Sequence, residues 1–272
     1  MVSWAQLRYL RITNSAMKTN KLYIYGKHAV REALLHAPHA VVRVFVEKGF
    51  TDPELMKFVQ QSGVEQAPLN KGVTRADIKG GTAQQGIVAQ LSLQELVVPF
   101  ETFLEGLEIT PSTSLVFLSG VQDPHNAGAI IRSAAAFGAS GVLMQAQGAS
   151  PVTAAVIKVS AGMAFRVPLV SVQNVPQALA MLKKRGVTIY ALAGKGAHSI
   201  EGEEFAKPSL FVFGNEGAGI EPAVRALCDE TLSIPMHPRC ESLNVAASAA
   251  VALFAWSSRH QDALTIKTKI KV

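Results

Sequence analysis

The chain has 272 residues, 49% of them apolar and 17% charged, with a formal net charge of +6. That balance suits a well-buried globular core and excludes an intrinsically disordered chain. The longest nearly apolar run, Val245–Trp256, has twelve residues, short of the ~20 that a bilayer span requires; two cysteines, Cys228 and Cys240, supply neither a disulfide framework nor a zinc site, so a reducing cytoplasm is the expected compartment.

The charge is unevenly spread. Residues 1–90 carry 12 Lys/Arg against six Asp/Glu, whereas residues 91–112 carry four glutamates and no base. A basic N-terminal third suits a polyanionic partner such as nucleic acid. Residues 1–20 read as a poorly ordered extension with no signal peptide, and Met17 is a second suitable start. From Lys21 the pattern becomes regular: a strand at Leu22–Tyr25, a helix at His28–Leu35, a strand at Val41–Glu47, a helix at Pro53–Ser62 and a strand at Val64–Pro68. A short helix at Thr74–Ile78 and a closing strand near Gln84–Ala89 complete a small α/β/α domain over residues 21–90.

Residues 91–112, with their glutamates, Pro99 and Pro111, read as a linker, and residues 113–260 as a second domain followed by a basic tail, 261–272. Strands are expected at Leu115–Val121, Gly141–Met144, Leu169–Val172, Val187–Leu192, Leu210–Phe213 and Leu232–Met236. Helices are expected at Ala129–Phe137, Thr153–Val159, Val175–Arg185, near Glu221–Ala226, and from Ser242, a suitable N-cap, through an Ala-rich stretch to Trp256. This alternation predicts an α/β fold with a mostly parallel sheet covered on both faces.

In such a sheet, ligands bind beyond the carboxyl ends of the strands. Three loops there are unusually polar: 122–132, 214–219 and 235–244. None is a known nucleotide fingerprint, because Glu216 stands where G-x-G-x-x-G needs its second glycine, and neither a Walker A pattern nor a G-x-S-x-G elbow is present. The histidines lack metal-ligand spacing, so no metal is expected. Taken singly, Asp123 and Asn126 are as well explained as turn or cap residues, and Glu216 as a surface residue. Arg132 is the odd one: it lies amid Ile130, Ile131, Ala134 and Ala135 in a stretch that otherwise reads as buried, and a buried guanidinium needs polar partners.

In combination the loops are far more specific. Asn126-x-Gly128-x-x-x-Arg132, then Gly214-Asn215-Glu216-Gly217-x-Gly219, then Ile234-Pro235-Met236 and Ser242-Leu243-Asn244-Val245-Ala246 resemble, in order and spacing, the three motifs of the SpoU (TrmH) family of RNA ribose 2′-O-methyltransferases. The resemblance covers residues 113–258. Residues 21–90 are similar to the small RNA-binding domain, itself like kink-turn-binding ribosomal proteins, that precedes the catalytic domain in one branch; Tyr25–Val30 and Gln85–Ala89 carry that likeness.

The resemblance implies a SPOUT-type fold whose C-terminal sheet is tied in a trefoil knot, with S-adenosylmethionine held in the knot largely by main chain. By position Gly214, Ile234 and Leu243 would supply those contacts, beside the Leu192–Gly196 loop with Leu192 and Gly194. Arg132 would activate or orient the 2′-hydroxyl, Asn126 would position Arg132 or the ribose, and Glu216, Ser242 and Asn244 would complete the site. It also implies a homodimer, with the Ala-rich helix a candidate for close packing, and an RNA partner rather than DNA or membrane. The nearest branch methylates a guanosine of 23S ribosomal RNA. Transfer RNA, a 23S adenosine, or a ribosomal-RNA-binding assembly factor without catalysis are the alternatives.

Overall fold

A computed structural model of the chain describes residues 21–69, 85–148, 151–194 and 198–265. The extension at 1–20, the short helix expected at Thr74–Ile78, Lys195 and Gly196 of the loop after Leu192, and residues 266–272 of the basic tail lie outside these residues.

The N-terminal unit is built from β1 (Lys21–Tyr25), α1 (Lys27–His36), β2 (Val41–Val46), α2 (Pro53–Gln61), β3 (Glu65–Pro68) and β4 (Ile87–Ser92). Its sheet has the order β1-β4-β2-β3, antiparallel except for the β2–β3 pair. Alternation decides the faces. Leu22, Ile24, Val44, Ile87, Ala89 and Leu91 pack with Val30, Ala33 and Leu34 of α1 and with Leu55 and Val59 of α2. The opposite face gathers Tyr23, Tyr25, Phe45 and Val88. Asp52 starts α2 by accepting the Leu55 N–H at 3.0 Å, with Pro53 in the first turn. Two layers are thus described; the short helix expected at Thr74–Ile78 lies outside the described residues.

The C-terminal unit runs through α3 (Leu93–Leu96), β5 (Val97–Pro99), α4 (Phe100–Gly106), β6 (Ser114–Leu118), α5 (Pro124–Ala136), β7 (Gly141–Gln145), α6 (Ala154–Val159), β8 (Leu169–Val172), α7 (Val175–Lys184), β9 (Thr188–Leu192), β10 (His198–Ser199), β11 (Ser209–Phe213), α8 (Pro222–Arg225), β12 (Glu230–Ser233) and α9 (Val245–Arg259). The eight strands lie in the order β10-β12-β9-β11-β6-β7-β8-β5, and every neighbouring pair is parallel. Such a sheet is apolar on both faces. Val116 and Leu118 point to the layer of α5, α6 and α9, and Leu115 and Phe117 to that of α4, α7 and α8.

The acidic stretch 91–112 is not a free linker. Residues 91–92 finish β4, β5 adds an edge strand to the large sheet beside β8, and Phe100, Phe103 and Leu104 of α4 are buried against it. The apolar residues lie among the glutamates at helical spacing, so the charges stay outside while the phenylalanines go in. Three boundaries also differ from expectation. Helix α5 begins at Pro124, not Ala129, because Asp123 caps it and Pro124 occupies its first position. Strand β12 ends at Ser233, short of Met236, since Pro235 has no N–H to donate to a ladder. Helix α9 begins at Val245, and its N-cap is Asn244, not Ser242.

Candidate functional site

Three loops meet beyond the carboxyl ends of β11 and β6. Here the strand order reverses: β7 and β8 extend the sheet on one side of β6, while β11, β9 and β12 extend it on the other. A parallel sheet opens a crevice at such a switch point.

The first loop is short. The Asp123 side chain accepts the His125 N–H at 2.8 Å, so Asn126 lies in the first turn of α5, its side chain turned inward and the residue only 9% exposed. The second loop folds back on itself. Asn215 and Gly219 exchange backbone hydrogen bonds of 2.8 and 2.9 Å, and Asn215 Oδ1 accepts the N–H groups of Gly217 and Ala218 at 2.9 and 3.0 Å. A Cβ on Gly214 would stand 2.2 Å from the Gly219 carbonyl carbon, so only glycine lets this turn close. The third loop ends in Asn244, whose Oδ1 caps α9 by accepting the Ala246 and Ala247 N–H groups at 2.8 and 3.3 Å.

One chain of hydrogen bonds joins the three. Asn244 Nδ2 donates to Asn126 Oδ1 at 2.9 Å, and Asn126 Nδ2 donates to Glu216 Oε1 at 2.9 Å. Glu216 also accepts the backbone N–H groups of Asp123 at 3.2 Å and Gln122 at 3.4 Å. Asn215 Nδ2 donates to the Gly120 carbonyl and to Glu216 Oε2. Burial pushes the Glu216 carboxyl upward, but the hydrogen bonds from Asn126 and from the main chain outweigh it and hold the group below the ordinary carboxylate range. The centre of the site is therefore an anionic carboxylate, fixed by donors and accessible at its outer edge.

The structure thus brings Asn126, Glu216 and Asn244 together, and leaves Arg132 and Ser242 outside their network. Arg132 is exposed rather than buried. Six residues beyond Asn126, its backbone lies about 9 Å further along the helix axis and a third of a turn around it. With His125, Ala129 and Ala136 it forms the outer stripe of α5. Asn126 spends its amide on Glu216 and Asn244 and does not hold Arg132; the guanidinium has no partner among the described residues. Ser242 is exposed two residues ahead of the cap, its hydroxyl equally unpartnered.

The apolar candidates lie along the adjoining strand ends. Leu192 closes β9 opposite Leu232 of β12, and Ile234 follows β12 directly. Leu243 is 39% exposed. The loops after β9 and β12 touch, since a Cβ on Gly194 would be 3.5 Å from the Glu241 carbonyl oxygen. Among the described residues, the main-chain N–H groups of Met236 and Leu243 donate no hydrogen bond. Half-exposed Leu and Ile side chains beside free main-chain donors suit a flat heteroaromatic ring with polar edges. No three His, Cys, Asp or Glu side chains gather as metal ligands among the described residues, and no helix among them is long and apolar enough to cross a membrane.

The sequence places Asn215 in the second motif without giving it a role; it shapes the second loop and ties it to Gly120. Its position before Glu-Gly in a glycine-rich loop was the available signal, because an Asn there forms an Asx turn.

Residues 113–254 match the family described as SpoU rRNA Methylase, and residues 23–97 match the one described as RNA 2′-O ribose methyltransferase substrate binding. A 23S rRNA (guanosine-2′-O-)-methyltransferase RlmB of Xanthomonas campestris pv. campestris is 36% identical over 242 residues, 88% of this chain and 96% of that protein. The protein of the same name from Pseudomonas putida is 34% identical over 85% of this chain and 94% of its own length. Among solved structures, the SpoU methyltransferase AviRb from Streptomyces viridochromogenes, in complex with AdoMet, superposes with a TM-score of 0.76 at 22% identity, covering 89% of this chain and 91% of that one.

Proposed function

Because the chain belongs to the SpoU rRNA methylase family, we propose that it transfers a methyl group from S-adenosylmethionine to the ribose 2′-oxygen of a guanosine in 23S ribosomal RNA. The observation that carries this reading is the chain of hydrogen bonds from Asn244 through Asn126 to Glu216, which joins all three family motifs at the switch point of the sheet. The guanosine and the 23S RNA are what the RlmB relatives are named for. The two-domain layout, with a substrate-binding match ahead of the catalytic one, supports a large RNA over transfer RNA.

The donor set fits the methyl donor. Leu192, Ile234 and Leu243 offer apolar contact to an adenine, and the free main-chain groups at Met236 and Leu243 offer hydrogen bonds to its edges. The close backbone approach at Gly214 keeps that part of the wall free of a side chain, in line with a cofactor clamped by main chain within a knotted C-terminal segment. When bound, S-adenosylmethionine supplies a methyl group made electrophilic by its sulfonium.

The acceptor is then the difficult partner, because a 2′-hydroxyl is a weak nucleophile at neutral pH and must be aligned and relieved of its proton. Arg132 is exposed with no partner among the described residues, and long helical side chains lean toward the N-terminus of their helix. It grips the RNA phosphate and stabilises the oxyanion that develops on the ribose; a guanidinium remains protonated and is poorly suited to act as a base. Glu216 and Asn126 hold the loop geometry that keeps Asn244, Ser242 and the cofactor wall in register.

Helix α9 also presents an outer stripe, Ala247, Val251 and Phe254, with Phe254 60% exposed and its ring 6.0 Å from that of Phe137 at the end of α5. An exposed apolar stripe beside small alanines supports a homodimer packed through α9, with Arg132 near the seam.

The test is a map of ribose methylation on total RNA from cells with and without the gene. Loss of a single 2′-O-methylguanosine from 23S RNA upholds the reading. An unchanged map, or a loss confined to transfer RNA or to an adenosine, overturns it.

A further inference from the structure

A buried carboxylate forms the ion pair between the substrate-binding domain and the catalytic domain. Glu32 of α1 is 5% exposed and accepts two hydrogen bonds from Arg166, Nε to Oε2 at 2.7 Å and Nη2 to Oε1 at 2.9 Å. His36, one turn further along α1, lies 3.8 Å from the same carboxylate. On the neighbouring turn of α1, His28 Nε2 stands 3.2 Å from the Ala161 carbonyl oxygen.

The catalytic domain is shaped to receive this group. Ala161 and Gly162 are consecutive left-handed residues, with φ of 52° and 79°, and they turn the chain between α6 and the segment that carries Arg166. A Cβ on Gly162 would lie 2.8 Å from Glu32 Cγ. Any side chain there would push α1 away. The apolar core is continuous across the junction, from Val30 and Ala33 to Ala164 and Phe165. Burial pushes the Glu32 carboxyl upward, yet the Arg166 guanidinium, assisted by His36 and His28, holds it below the ordinary range. A buried charge of this kind depends on its one strong partner.

The seat is also close to the reacting helix. The turn at 160–166 follows α6, and α6 packs against α5 so tightly that a Cβ on Gly128 would meet Val159 Cβ at 2.8 Å and the Val156 carbonyl oxygen at 2.9 Å. Asn126 and Arg132 stand on α5. One helix therefore separates the docked domain from the catalytic side chains.

Resting on the functional reading above, we propose that the Glu32–Arg166 pair is a positioning device that holds the substrate-binding domain at a fixed offset from α5, so that the enzyme measures from the RNA element it grips to the ribose it methylates. Both residues act through domain placement and neither touches the reacting atoms. Without the pair the domain still binds RNA, but the ribose is no longer delivered to one place.

The experiment uses the full chain as wild type, Arg166→Ala, Arg166→Lys and Glu32→Gln, with an unmodified 23S RNA transcript and S-adenosylmethionine. The expected result for Arg166→Ala is a KM for RNA raised about tenfold, in the range of mutations that disturb coupling, with kcat within about twofold and methyl groups appearing on neighbouring riboses. Arg166→Lys, which keeps the charge and loses the two-pronged contact, recovers part of the KM. Wild-type KM with one methylated ribose in a folded Arg166→Ala protein overturns the proposal. If one variant does not fold, the other two decide by the same readouts. Small-angle scattering separates this proposal from the functional one: the radius of gyration rises in Arg166→Ala if the pair holds the domains, whether or not methyl transfer to RNA is seen, and an unchanged radius contradicts it. Failure of the wild type to methylate the transcript speaks only against the functional reading.

Discussion

The Asn244 side-chain Nδ2 donates to Asn126 Oδ1 at 2.9 Å across 118 residues of chain while its Oδ1 caps α9. One side chain thus starts a helix and fixes the residue that orients Glu216. Replacing it affects two things separately. Asn244→Ala removes a cap, which costs about 1 kcal/mol, and leaves the Asn126 amide without its donor. Asn126→Ala breaks the network but spares the cap. Both variants are expected to lose methyl transfer, and Asn244→Ala to melt at the lower temperature of the two. A double variant whose stability loss equals the sum of the singles within ~0.3 kcal/mol would show the two side chains to be uncoupled, against the contact described.

Arg132 is exposed and has no partner among the described residues, so its removal is expected to leave the fold intact. Arg132→Ala is expected to abolish methyl transfer, with a melting temperature and a cofactor Kd close to wild type. Calorimetric titration with S-adenosylmethionine checks the second part. Near wild-type turnover would remove Arg132 from the catalytic account.

Glu216 is held below the ordinary carboxylate range by hydrogen bonds to its ionised form, which outweigh its burial. A carboxylate lowered in the folded state contributes stability that is fully present above its unfolded value and is lost as pH falls through the folded one. The three-loop site is therefore expected to loosen in acid, and Glu216→Gln, which resembles the protonated group, to lose stability chiefly at neutral pH and so to flatten the acid limb. Parallel acid melts of the two proteins test this. An acid limb of equal depth in both would contradict the assignment.

Phe254 is 60% exposed beside Phe137, on the outer stripe of α9 with Ala247 and Val251, an apolar stripe that suits burial against a second copy. Phe254→Asp is expected to shift a dimer to monomer in light scattering at micromolar concentration while the monomer stays folded. A wild-type protein that is already monomeric would contradict the dimer, and a variant that remains dimeric would place the interface elsewhere.

Much of this architecture is legible in the residues. Alternating β-branched strands and capped helices give the parallel sheet, since period and burial on both faces leave few other arrangements. The motif spacings bring Asn126, Glu216 and Asn244 to one place. The errors are local and share a cause, which is that flanking chemistry prevailed over composition. Asp123-Pro124 starts α5 a turn early, Pro235 stops β12, and Asn244 prevails over Ser242 because it sits directly before the first helical residue and its amide reaches two backbone donors. Arg132 seemed buried because its neighbours are apolar, yet a helix of 3.6 residues per turn carries one polar position outward even when the residues beside it go in. The Glu32–Arg166 pair could not be read at all, since it joins residues 134 apart across a junction that the one-dimensional pattern does not encode.

The central claim is that the three joined loops transfer a methyl group to a ribose oxygen. Its most direct test is the purified protein with labelled S-adenosylmethionine and an unmodified 23S RNA transcript, digested to nucleosides and resolved by mass spectrometry. The account predicts label in 2′-O-methylguanosine, at one position, and none with Arg132→Ala. Label on a base, label in no nucleoside, or undiminished label with Arg132→Ala would contradict it.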